Sequence, residues 1–355
     1  MKWKEVFNLK TTKSIIFLVV ILVIGVIAAG CGDSRPSINV YNWGDYIDKD
    51  VIKEFEEEYN IKVNYSMYAT NEDLYVKLKQ GGSSYDVIIP SDYMIERMIR
   101  EGMLSKLDTN NIPNLQNVDE KFFNLDFDPS NEYSVPYMWG TVGIIYNKTK
   151  VDDVVDSWDI LWNEKYKDQI IMLNSQRDTL AVALLKLGYS MNTRDINELE
   201  EAKQELIKQR PLVWAYQGDE VKDTMIGGEA ALAVVWSGDA VAMIRQNPDL
   251  AYVIPKEGTN LWFDSMVIPS TAKNKEGAEA FINFMCRPDI AAKNTDYIGY
   301  STPIPKAIET LPDDIKNSKV AYPSDEEIKN TEIFKDPMDI IQEYDRIWTE
   351  VMSGQ

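Results

Sequence analysis

Apolar and polar positions along the chain follow two rhythms that exchange places. "INVYNW" reads as a strand, and "DVIKEFEEEY" follows with Val51, Ile52, Phe55 and Tyr59 on one helical face. "IKVNYSMY" alternates with a period of two, "NEDLYVKLKQ" is helical, and "YDVIIPS" predicts a buried strand ending at Pro90. "DYMIERMIREG" predicts a helix with Gly102 as its C-terminal cap. "YSVPYMWGTVGIIYN" is a long β run, "WDILWNEKY" predicts a helix, and "QIIML" a strand. "RDTLAVALLKLGY" and "DINELEEAKQELIKQR" are helical. Four further strands, "LVWAY", "AALAVVW", "LAYVIP" and "LWFDSMVIP", share the rest with the helices "DEVKDTMIGGE" and "DAVAMIRQ". Helical spacing in "DPMDIIQEYDRIWTEVM" predicts a closing helix. The rhythm argues for an α/β fold of mixed sheets flanked by helices. With 355 residues, two lobes are expected rather than one giant core.

The first thirty residues stand apart. Lys2, Lys4, Lys10 and Lys13 make a basic start, and Ile15–Ala29 is uncharged and apolar. That run is short of the roughly 20 residues of a membrane span but suits a signal peptide. "AAGC" then resembles a bacterial lipobox, which implies cleavage before Cys31 and diacylglycerol on its sulfur; an uncleaved anchor is the alternative. "GDSRPS" is a short tether, assigned to residues 31–37. Either way the bulk of the chain is expected outside the cytoplasm, held at the membrane. The other cysteine, Cys286, has no partner for a disulfide once Cys31 is lipidated, and is expected to be a buried apolar residue.

Charge and composition narrow the chemistry. Without residues 1–30, which carry four lysines and one glutamate, the net charge moves from −20 to −23. Such acidity opposes nucleic acid and favours the approach of cations, although solubility alone explains much of it. There is no histidine, which excludes Ser–His and Cys–His pairs and imidazole metal sites. No Walker loop, dinucleotide fingerprint or zinc spacing occurs, and no cofactor or metal is expected.

In α/β folds ligands sit beyond the carboxyl ends of strands. Trp43, Asp45 and Tyr46 follow the first strand; Ser91, Asp92 and Tyr93 follow "DVIIP"; Ser175, Arg177 and Asp178 follow "QIIML". Trp236 and Asp239 follow "AALAVV", and Trp262 and Asp264 lie in "LWFDSMV". Each has a plainer explanation: Asp45 or Asp48 could cap a helix, Asp178 and Asp239 could be first-turn acids, and the tryptophans could be core. Taken together, acids beside aromatics at several strand ends suit an organic cation. Ammonium groups would pair with carboxylates, and methylenes would lie on aromatic faces. A linear di- or polyamine requires such interleaving.

Over about residues 37–355 the chain resembles the spermidine/putrescine-binding proteins of bacterial polyamine ABC transporters. The matching stretches are "YNWGDYI", "YDVIIPSDYMIERM", "FDPSNEYSVPYMWGT", "ALLKLGYSMNT", "VVWSGDA", "IPKEGTNLWFDSMVIPSTAKNKEGAEAFINF" and "IGYSTPIP". The resemblance implies a two-lobed periplasmic-binding-protein-like fold, with crossing strands as the hinge and the ligand in the cleft. Lobe 1 is drawn over 38–141 and 263–308, lobe 2 over 142–262 and 309–355. By position, the resemblance makes Trp43, Tyr46, Trp236, Trp262 and Tyr300 the aromatic walls. It makes Asp45, Asp178 and Asp264 the acids, and Ser91 and Tyr93 hydrogen-bonding groups near one ligand end. Ser175 stands where spermidine-selective members often carry an acid, whereas Asp239, in "WSGD", matches putrescine-preferring members. Ser175 and Arg177 are secondary candidates, and no contact is transferred to Phe334. The implied function is capture of putrescine or spermidine and delivery to the ABC permease.

Alternatives remain within and beyond that fold: another small organic cation, a ferric-ion or sugar binder, a polyamine sensor, or a glycosidase using an acid pair.

Overall fold

A computed structural model describes residues 35–81 and 84–354, so Cys31 and the signal segment lie outside the described residues. The first strand, β1 (Ser37–Trp43), runs parallel to both β2 (Lys62–Tyr68) and β3 (Val87–Ile88). Between them lie α1 (Lys49–Tyr59) and α2 (Asn71–Gln80), the latter capped by the Thr70 hydroxyl. Helix α1 starts at Asp48, whose carboxylate accepts the Asp50 N–H at 2.9 Å, and stops at Asn60 in the left-handed region. It buries Val51 and Phe55. The cap is therefore Asp48, and Asp45 is left for another role. After β3 comes α3 (Asp92–Arg100), with Met94, Ile95 and Met98 buried; Gly102, at φ +68°, lies just beyond its end.

The long run forms β4 (Ser134–Asn147), buried along nearly its whole length. Its first half is antiparallel to β9 (Leu261–Val267), with Gly140 opposite Trp262. Its second half is antiparallel to β7 (Leu232–Trp236) and β8 (Leu250–Val253). The strand thus leaves one sheet, β2-β1-β3-β9-β4, and enters a second, in which β7 continues to β5 (Ile170–Leu173) and β6 (Val213–Gln217). The change of partner falls between Thr141 and Val142.

Helices cover both sheets. Beyond α1–α3, those longer than four residues are α4 (Gln176–Lys186), α5 (Ile196–Gln209), α6 (Val221–Ile226), α7 (Ser237–Gln246), α8 (Lys275–Met285), α9 (Pro288–Ile298) and α10 (Ile341–Ser353). Helix α4 is buried on nearly every side, clamped between α5, α10 and its sheet. Cys286 is buried at the end of α8, as expected of an apolar filler.

Two expected elements differ. "WDILWNEKY" is two 3-10 turns, Trp158–Trp162 and Glu164–Tyr166. Ser157 and Asn163 each cap a fresh start, at 3.2 and 3.0 Å, so no continuous helix propagates. The strand expected to reach Pro90 ends at Ile88. The Ile89 carbonyl instead accepts from the Trp43 indole at 2.8 Å and the Tyr68 hydroxyl at 2.6 Å.

Candidate functional site

The carboxyl ends of β1, β3, β5 and β7 face the region where β4 changes sheets. Asp264, on β9, meets Ser91 at the start of α3 through an isolated β-bridge. Its carboxylate accepts the Ser91 hydroxyl at 2.6 Å and the Tyr46 hydroxyl at 2.7 Å. It is 6% exposed. Burial pushes its carboxyl up to about 6 and nearby Asp178 adds to the rise, although both hydroxyls oppose it.

Asp178 comes from the other sheet, in the first turn of α4. Ser175, at the N-cap, donates its hydroxyl to Asp178 at 2.7 Å, and the Asn260 amide donates at 3.4 Å. Burial raises the Asp178 carboxyl as well, against those hydrogen bonds and the Arg177 charge. Ser175 thus positions an acid and caps a helix in one stroke.

Aromatic rings lead away from this pair. Tyr46 packs edge-on against Tyr300 with centroids 5.4 Å apart, and Tyr300 against Trp262 at 5.2 Å. Two glycines make room. A Cβ on Gly140 would come within 2.6 Å of the Trp262 ring, and one on Gly238 within 2.2 Å of the Tyr300 ring. The Trp262 indole nitrogen is buried with no partner among the described residues.

Beside the Tyr300 hydroxyl stands Asp239, in the first turn of α7 and 3% exposed. Burial pushes its carboxyl up to about 6 even though the Lys222 ammonium lies 3.6 Å from Oδ1. Its Oδ2 has no hydrogen-bond partner among the described residues. Lys222 is also 3.7 Å from Asp219 and 3.7 Å from Asp45. Asp45 therefore belongs to this end as an exposed acid: its side chain is 73% exposed and its φ is +45°. The left-handed turn lifts it to the rim. Gly44 lies so close to the other sheet that a Cβ there would sit 3.1 Å from Asp219.

The remaining candidates are arranged around these two acidic ends. Trp43 is half-buried, its ring on Tyr68 at 4.6 Å. Trp236 ends β7 beside Asp178. Tyr93 is turned to Glu72, donating its hydroxyl at 3.0 Å, and the Arg177 guanidinium lies 5.1 Å from its ring. Arg177 is buried, stacks on Phe334 at 4.4 Å and donates to the Lys335 carbonyl at 3.1 Å. Asp92 is a tie between elements, accepting the N–H groups of Tyr93 at 2.7 Å and Phe263 at 3.0 Å.

Sequence reasoning missed Lys222, Asp219, Glu72, Asn260 and Tyr137, whose hydroxyl donates to the Tyr46 carbonyl at 2.7 Å. Asp219 carried a usable signal, since it follows the end of β6 with Tyr216 just before it. Lys222 carried none, because a lysine on a short polar helix reads as solvated surface.

Two sheets joined by crossing strands, with acids from both buried at their junction, are the architecture of a solute-binding protein. The chain belongs to the bacterial extracellular solute-binding proteins, whose family model matches residues 50–324. It is 38% identical over 336 residues to the spermidine/putrescine-binding periplasmic protein of Salmonella typhimurium, covering 94% of this chain and 96% of that one. A structure from Listeria monocytogenes is 43% identical, covers 90% of this chain and 99% of its own, and superposes with a TM-score of 0.87. The spermidine/putrescine ABC transporter substrate-binding protein of Streptococcus pneumoniae has the same identity and coverage, with a TM-score of 0.78. The two-lobed α/β architecture expected from the sequence is thus the fold of its neighbours.

Proposed function

We propose that this protein captures a linear polyamine, putrescine or spermidine, in the cleft between its two sheets and delivers it to an ABC transporter permease. One observation carries the reading. Three buried acids, Asp264 and Asp178 at one end and Asp239 at the other, are joined by the rings of Tyr46, Tyr300 and Trp262. A carboxylate buried without a full counter-charge is destabilising, so Asp264, with only hydroxyl partners, and Asp239, with Lys222 near one oxygen, are prepared for cations from outside. Rings between them accept methylenes and attract ammonium groups by about 0.5–2 kcal/mol each. The curated Salmonella relative is named for the same ligands.

The protein acts as a carrier, not a catalyst. Lobe 1 comprises 38–141 with 263–308, and lobe 2 comprises 142–262 with 309–355. The switch of β4 between sheets at Thr141 and Val142 supports this division. Ser91, Tyr46, Asp264 and Asp178 hold one ammonium; Asp239 holds the other; Trp43 and Trp236 complete the walls. Lipid on Cys31 keeps the protein beside its permease.

Calorimetric titration of the lipid-free chain with putrescine, cadaverine, spermidine and spermine tests this reading. Saturable binding of at least one, at a 1:1 ratio, is expected. No heat with any of the four would overturn it.

A further inference from the structure

Lys222 is a cation that the protein supplies to its own acidic cleft. Its ammonium is 3.6 Å from Asp239, 3.7 Å from Asp219 and 3.7 Å from Asp45. All three separations exceed the roughly 2.7–2.9 Å of a formed charge-assisted hydrogen bond. Lys222 therefore balances the cluster without saturating it. Asp45 and Asp219 share it at the solvated rim, with side chains 73% and 56% exposed. Asp239 is buried below them beside the Tyr300 hydroxyl, and its Oδ2 oxygen has no hydrogen-bond partner among the described residues. One carboxylate oxygen is thus open to a ligand ammonium at this end, while the position between the rim acids is already taken.

We propose that Lys222 is a specificity-determining residue: its ammonium stands where a further amine of a longer ligand would emerge, so the cleft is matched to a diamine. This rests on the polyamine reading above. On that reading a diamine pairs one ammonium with Asp264 and Asp178 and the other with the Oδ2 oxygen of Asp239. A triamine must carry its third charge to the rim, against the Lys222 charge. Removing that charge leaves Asp45 and Asp219 unpaired and offers them to the third amine, a gain a diamine cannot collect in full.

The test is titration of wild type, Lys222→Met, Lys222→Gln and Lys222→Arg with putrescine and with spermidine, after circular dichroism has shown which variants are folded. In Met and Gln variants the affinity ratio of spermidine to putrescine is expected to rise by about fivefold or more. In the charge-keeping Arg variant it should return toward wild type. A smaller change in the neutral variants, with wild type binding either ligand, overturns the role of Lys222 and leaves the polyamine reading standing. Wild type that binds neither overturns both.

Discussion

Asp264 shows how a residue prepared for a ligand destabilises the empty protein. Its carboxyl, ordinarily at 3.8, is pushed up to about 6 by burial. Between those values the folded chain holds more protons than the unfolded one, so this group's contribution to stability falls as pH rises through the window. Above pH 6 the full penalty, on the order of 3 kcal/mol, is in place. Asp239 follows the same sign. Asp264→Asn is therefore expected to leave the ligand-free denaturation midpoint at pH 8 unchanged or higher, and to flatten its fall between pH 4 and 6. The same variant should weaken polyamine binding by about 2–5 kcal/mol, because an ammonium is then buried without its counter-charge. Unchanged affinity would place Asp264 outside the site. Because the ligand favours both carboxylates in their charged form, binding should release protons near pH 6 and weaken below it. Calorimetry in buffers of different ionisation enthalpy reads this directly, and no proton release would count against Asp264 and Asp239 meeting the ligand from buried positions.

At the scale of elements, the site depends on strands and helices that approach closely enough to lock its rings. Helix α7 brings Gly238 against the Tyr300 face, where a methyl group would lie 2.2 Å from the ring. Gly238→Ala is expected to lower stability by about 1–3 kcal/mol through overpacking and to weaken binding by displacing Tyr300. Urea denaturation and titration measure the two effects, and a variant with neither would show that α7 shifts without strain. The alternation of strands and helices was legible in the sequence, because burial on one face imposes a period. The 3-10 turns at Trp158–Tyr166 were not, because hydroxyl and amide caps at Ser157 and Asn163 outweigh apolar spacing. Nor could spacing show which acid near residue 45 caps α1: both Asp45 and Asp48 precede the helix, and only the turn at Asp45 separates them.

Across the whole molecule, the acids at each end come from different sheets. Asp264 lies on β9 of the first, and Asp178 and Asp239 start helices that follow strands of the second. All three are buried, so the proposed capture requires the sheets to part, and the expectation is that β4, which crosses between them, and its partner β9 flex. Small-angle scattering should give a smaller radius of gyration with putrescine than without. An identical radius in both states would argue against hinge closure.

The sequence by itself determined the α/β class, the acid-and-aromatic composition of strand ends and the absence of histidine chemistry, since these follow from local periodicity and residue type. It also carried Asp178, Asp239, Asp264 and their aromatic neighbours as candidates. Which carboxylates are paired, exposed or left open was decided only by the tertiary structure. Asp45 rises to the rim and Asp92 ties α3 to β9. Lys222, far from Asp45 in sequence, reaches it across the cleft and stands between it and Asp219. The physical reason is that charge pairing depends on distance and burial in space, and neither is encoded in the spacing of residues along one strand or helix.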